Sequence, residues 1–137
     1  MLREETRMRA RALQVLYAME ITGETVIAVC VDSVANLTGN VPLVIDDVEP
    51  MVEQILARVT EIDAIAQAAA DNWRLERIAT VERNILRIAI YELQCGVVPP
   101  KVVIDEALWL AHRFAGARAP SFINGVLDRV GRDLGRL

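Results

Sequence analysis

Aromatic residues are almost missing from this sequence, which holds two Trp, two Tyr and two Phe among 137 residues. A β-sandwich core leans on aromatic and β-branched side chains, so a composition led by Ala, Val, Ile, Leu and Arg points instead to packed helices. Cysteine is as scarce. Cys30 and Cys95 stand alone and far apart, which fits neither a disulfide framework nor a zinc site and leaves two thiols expected in a reducing compartment. His112 is the only histidine, and no Ser or Cys nucleophile motif, Gly-rich phosphate loop or metal-ligand spacing accompanies it. Neither catalysis nor a cofactor nor a metal is expected. No apolar run approaches the roughly 18 residues of a membrane span, and no apolar leader precedes a small-residue cleavage site. A cytoplasmic protein without membrane contact is the expectation.

What is present is a chain of single-domain length with 53% apolar residues. Its net charge of −4 argues weakly against nucleic acid as a partner, but the charge is unevenly spread. Residues 1–11 carry Arg3, Arg7, Arg9 and Arg11 against Glu4 and Glu5, so this end is net +2 and the remainder is net −6. Screening confines each charge to about 10 Å at ordinary salt, so a basic arm on an acidic body can still meet phosphate.

Apolar periodicity predicts a first helix over Glu4 to Thr22, with Met8, Ala12, Val15, Leu16 and Met19 on one face and Gly23 as its stop. Arg3, Arg7 and Arg11 then fall on the opposite face within roughly 80°, with Arg9 at the border beside Leu13. Val26 to Leu37 is read as a second helix although its β-branched residues would also suit a strand. Gly39, Asn40 and Pro42 mark a loop. Asp46, Asp47 and Glu49 open a third helix to about Val59, and Thr60 with Asp63 resembles a capping box that starts a fourth, to about Asn72. Asn72 to Leu75 is read as a short connection. Thr80 is expected to cap a fifth helix, Val81 to Gln94, whose apolar residues cover more than half its circumference, the mark of a central helix. A sixth helix (Val103 to Phe114) and a seventh from Pro120 complete an antiparallel bundle.

Two stretches are specific enough to carry a resemblance: Val81-Glu-Arg-Asn-Ile-Leu-Arg-Ile-Ala-Ile-Tyr-Glu-Leu93 with Pro100-Lys-Val-Val-Ile-Asp-Glu-Ala107, and Phe122-Ile-Asn-Gly-Val-Leu-Asp128. With the opening Arg9-x-x-Ala12-Leu-Gln-Val-Leu-Tyr17, they make the chain resemble the NusB family of transcription antitermination factors. The resemblance implies an all-α, seven-helix fold of two small lobes, three helices plus four, with lobes of about 1–59 and 60–137. It implies a non-enzymatic factor that binds boxA-type single-stranded RNA together with the ribosomal protein NusE, within the transcription elongation complex, and it leaves a homodimer open. Family members carry a denser basic run than this chain, where Glu4 and Glu5 dilute the arginines. A NusB-like accessory domain of a ribosomal RNA cytosine methyltransferase, or a bundle that has lost RNA binding, are the alternatives.

Against that background Arg3, Arg7, Arg9 and Arg11 are candidate phosphate contacts, since guanidinium forks match phosphate oxygens; the bland reading is a solvated helix face. Tyr17 and Phe122 are candidate stacking surfaces for bases, or core residues. Glu82, Arg83, Arg87, Tyr91, Asp105 and Glu106 form the candidate partner surface, with Glu82 equally placed as a first-turn charge. Glu92, set in an apolar arc, calls for a structural ion pair. Gly125 inside a helix implies a close backbone approach, with Asn124 tying a neighbouring loop.

Overall fold

The helix expected over Glu4–Thr22 forms over that span as α1 in the computed structural model, which describes residues 3–38, 42–70 and 74–137. Gly23 ends it in the left-handed region (φ 74°), donating its N–H to the Met19 carbonyl. The β-branched segment is helical as α2 (Ile27–Thr38). Its start is prepared by Glu24, whose carboxylate accepts the N–H groups of Thr25 (2.8 Å) and Val26 (3.0 Å). The expected Gly39-Asn40 loop lies outside the described residues.

Helix α3 runs Pro42–Ala57 and so begins a turn before the expected Asp46. Proline as first helical residue loses no hydrogen bond there, and this signal outweighs the carboxylates, which stand further in. Pro50 lies inside the helix, where the bond to the carbonyl of residue 46 goes unmade. In this first unit, Met1–Ala57, α1 packs on both α2 and α3, burying Leu13, Leu16, Val31, Val34, Val52 and Ile55. Each such side chain contributes about 1.5–3 kcal/mol on burial.

The second unit is Arg58–Leu137. It holds α4 (Val59–Ala69), a 3-10 turn (Leu75–Arg77), α5 (Thr80–Cys95), α6 (Pro100–Phe114) and α7 (Ala119–Asp133). The connection expected at Asn72-Trp73 lies outside the described residues. Within this unit α5 packs on α4, α6 and α7, with Ile85, Leu86, Ile88, Ile90 and Leu93 buried, as a central helix requires. Two caps differ from expectation. Arg58 and Ala79, not Thr60 and Thr80, hold the N-cap positions of α4 and α5, and neither start has a side-chain cap bond.

The close backbone approach expected at Gly125 does not form, and it is Gly131 that has a close neighbour, a side chain. A Cβ at Gly125 would meet nothing within 4 Å, and Asn124 beside it is exposed. A Cβ at Gly131 would come within 2.6 Å of Leu137 Cδ1, because the C-terminal turn folds back so that the N–H groups of Arg136 and Leu137 donate to the Gly131 carbonyl. Gly125 is therefore a helix-interior glycine without a packing reason in this chain. Gly125→Ala should raise stability by about 0.5–1 kcal/mol, read as a higher urea midpoint with an unchanged slope. A lowered midpoint would show that a methyl group at Gly125 meets a neighbour.

Candidate nucleic-acid interface

Three of the four N-terminal arginines lie toward the outside of α1; the fourth does not. Arg3 at the N-cap is exposed, and Arg7 and Arg11 are half-buried. Arg9 is only 4% exposed. It belongs to the buried series Thr6, Arg9, Leu13, Leu16, whose spacing of three and four residues keeps one face turned inward. Its expected phosphate contact is corrected accordingly, since a buried guanidinium cannot meet an external oxygen in place. Periodicity had set Arg9 at the border, and tertiary packing decided on which side of it the residue fell.

Arg7 and Arg11 are one turn apart and feel each other's charge. Partial burial and then the positive Arg7 push the Arg11 guanidinium below its usual range. Arg11 Nη1 donates to Gln14 Oε1 at 3.0 Å, whereas Arg7 Nε is buried and meets no acceptor among the described residues. Two adjacent cations that are only partly buried are unfavourable by themselves. An anion placed against both would offset that cost with charge-assisted hydrogen bonds. Tyr17, further along α1, is exposed and so does not serve the core. Phe122 is half-buried on α7, in the second unit.

The candidate partner residues separate once the second unit is folded. Arg87 is taken up in a two-pronged pair with Asp63, Nε to Oδ1 and Nη2 to Oδ2 both at 2.8 Å, and its Nη1 reaches Asn84 Oδ1 at 3.0 Å. Asn84, also on α5, is fully buried and donates to the Thr80 carbonyl at 2.9 Å. Arg83 Nη1 donates to the Ile78 carbonyl at 3.2 Å, and Gln67 Oε1 accepts the Leu75 N–H at 2.8 Å. These side chains tie α4, the 3-10 turn and α5 together. Asp63 had been read as a helix cap; no local pattern announces a partner 24 residues away.

Tyr91 lies under the Arg58 guanidinium, 5.8 Å from ring centroid to carbon, and burial together with Cys95 pushes its hydroxyl above the usual range. Glu92 is buried, and so is Glu106, which removes Glu106 from any outer surface. Asp105 is exposed but sits in the second turn of α6, whose first turn, starting at Pro100, has no acidic residue. Glu82, half-buried in the first turn of α5, and Asp105 are the carboxylates left for a partner to meet. A cavity of about 610 Å³ opens beside the Asp63–Arg87 pair, lined also by Gln67, Leu75, Glu76 and Arg83. Among the described lining residues two carboxylates face two guanidiniums.

No group of three or more His, Cys, Asp or Glu among the described residues could hold a metal ion, and no single helix there is long and apolar enough to cross a membrane. Polar side chains that lash the helices of one unit together, and an arm of adjacent cations in the other, define a small all-helical binding protein. Its sequence matches the profile described as NusB family over residues 6–132, and the chain belongs to that family. It is 37% identical over 131 residues to the transcription antitermination protein NusB of Anaeromyxobacter sp. (strain Fw109-5), covering 96% of this chain and 92% of that protein. The NusB of Solibacter usitatus is 39% identical over 133 residues, covering 93% and 88%. Among solved structures, T. maritima NusB superposes with a TM-score of 0.85 at 28% identity over 97% of this chain and 94% of that one. The complex of antitermination factors NusB and NusE with double-stranded RNA gives 0.84 at 25% identity, covering 97% and 99%.

Proposed function

We propose that this chain is a transcription antitermination factor that acts on ribosomal RNA transcription by binding boxA-type RNA together with the ribosomal protein NusE. The observation that carries the RNA reading is the Arg7–Arg11 pair, two half-buried cations one turn apart on α1 that bear on each other's charge. Arg3 extends the same arm, and exposed Tyr17 offers a stacking face. The role is one of binding, not catalysis, and its place is the cytoplasm, where RNA is transcribed. Relatives named as antitermination proteins, matched along nearly their whole length, favour this reading over a methyltransferase accessory domain.

Glu82 and Asp105 are the residues proposed to meet NusE, because ribosomal proteins are basic and opposite charges speed encounter and fix register. RNA and protein should support each other's binding. Coupling between two ligands is commonly worth about 1–3 kcal/mol and is reciprocal, so saturating NusE should tighten RNA binding roughly 5- to 150-fold. Fluorescence anisotropy of labelled boxA RNA, with and without NusE, measures this. Glu82→Lys should weaken NusE binding by about tenfold or more in calorimetry and leave RNA binding by the chain alone unchanged. Absence of RNA binding in both arms overturns the functional reading, and an unaltered NusE affinity in Glu82→Lys overturns the docking surface.

A further inference from the structure

From Ala12 to Ala57 the sequence contains no Lys, Arg or His, yet it holds seven carboxylates: Glu20, Glu24, Asp32, Asp46, Asp47, Glu49 and Glu53. Beyond its arginine end, the first unit is therefore a purely anionic body. On that body stands an apolar corner. Ile21 is 61% exposed, Val26 53% and Val29 47%, so three of the seven large apolar residues left exposed among the described residues fall within nine positions. Isolated exposed aliphatics are ordinary; a cluster at one turn is not.

The corner is well formed. The chain bends by 115° from α1 into α2 there, with Gly23 in the left-handed region. Thr22 Oγ1 donates to the Ala18 carbonyl at 2.6 Å and accepts the Glu24 N–H at 3.3 Å. The Glu24 carboxylate caps the Thr25 and Val26 N–H groups, and the Val29 N–H donates to the Val26 carbonyl. Val26 and Val29 thus share one side of the first turn, with exposed Asp32 three residues further along the same face. Burial and the nearby Glu24 charge raise the Cys30 thiol.

We propose that the α1–α2 corner is a docking surface for a basic protein segment with aliphatic anchors. The anchors cover Ile21, Val26 and Val29, and Lys or Arg side chains meet Glu24 and Asp32. Charge selects this occupant. Nucleic acid and anionic lipid are repelled by a body without a single cation from residue 12 to 57, and a symmetric pair of copies would set Glu24 and Asp32 against themselves. The surface is separate from the RNA arm. Arg11, the nearest of the phosphate-binding arginines, and Ile21 are ten residues apart on one helix, roughly 15 Å at 1.5 Å per residue. The substitutions that test the corner, at Val29 and Asp32, leave Tyr17 on the turn before Ile21 untouched. Failure of either reading therefore leaves the other standing.

The test titrates the full ¹⁵N-labelled chain with a synthetic amphipathic peptide of Leu and Lys, and in parallel with its Glu-for-Lys counterpart. Amide shifts should concentrate on residues 20–33 with the Lys peptide only, and weaken as salt rises. Val29→Ser and Asp32→Lys, both at exposed positions, should each weaken binding at least tenfold while leaving the remaining spectrum and the RNA affinity unchanged. Shifts that spread over other surfaces, or an affinity indifferent to both substitutions, overturn the proposal. So does sedimentation showing self-association that Val29→Ser abolishes, because the occupant is then a second copy.

Discussion

Replacing Arg7 and Arg11 together with Ala should weaken RNA binding about a hundredfold at low salt. Hydrogen bonds to charged groups are worth about 1.5–3 kcal/mol, and even the lower figure, taken once per arginine, gives that factor. The salt dependence should change as well. Each lost contact to a single-stranded phosphate removes about 0.7 from the slope of log affinity against log salt, so the double variant should be flatter by about 1.4. The fold should not suffer, since the substitution removes two cations that push on each other. Arg9→Ala provides the contrast. Because Arg9 lies in the buried stripe of α1, its loss should lower the melting temperature and leave the slope intact. Equal slopes for the native chain and the Arg7/Arg11 double variant would remove these residues from the interface.

Asp63→Ala should destabilise the second unit by about 2–3 kcal/mol. Breaking a buried ion pair costs about 3–5 kcal/mol, because the abandoned partner keeps its charge without compensation. The figure is set lower here because the Arg87 and Asp63 side chains are 14% and 29% exposed, so water screens part of the loss. Arg87 would retain its bond to Asn84 but lose both prongs to α4. Arg87→Lys should also destabilise, since an ammonium group cannot reproduce the two parallel bonds. A double-mutant cycle in urea isolates the pair. Combining Asp63→Ala with Arg87→Ala should cost clearly less than the sum of the single changes, with a coupling of at least about 1 kcal/mol. Additive losses would show that the two residues act separately and that the link between α4 and α5 lies elsewhere.

The helices were legible because their signals are local. The face formed by Ala12, Val15 and Leu16, the stop at Gly23 and the wide apolar arc around Ile85 and Leu86 each need only neighbours three or four residues away. Their starts were less legible where two local signals competed. Pro42 prevailed over the carboxylates at Asp46 and Asp47, and α4 and α5 begin without the side-chain caps that Thr60 and Thr80 offered.

The candidate surfaces were read only in outline. Arg3, Arg7 and Arg11 could be placed on one face from helical geometry alone, and the matching motifs pointed to the family. Which of the polar residues remain available to a ligand depended on pairings across 24 residues and on burial, which no local window contains. Asp63 takes Arg87, the 3-10 turn takes Arg83 and Gln67, and the interior takes Arg9, Asn84 and Glu106. The same holds for the glycines, where Gly131 and not Gly125 admits a close neighbour because the chain end happens to fold back onto it. Helical period and turn chemistry are properties of adjacent residues, so they are written in the order of the amino acids. Desolvation and ion pairing depend on what arrives from far along the chain, and only the packed helices decide them.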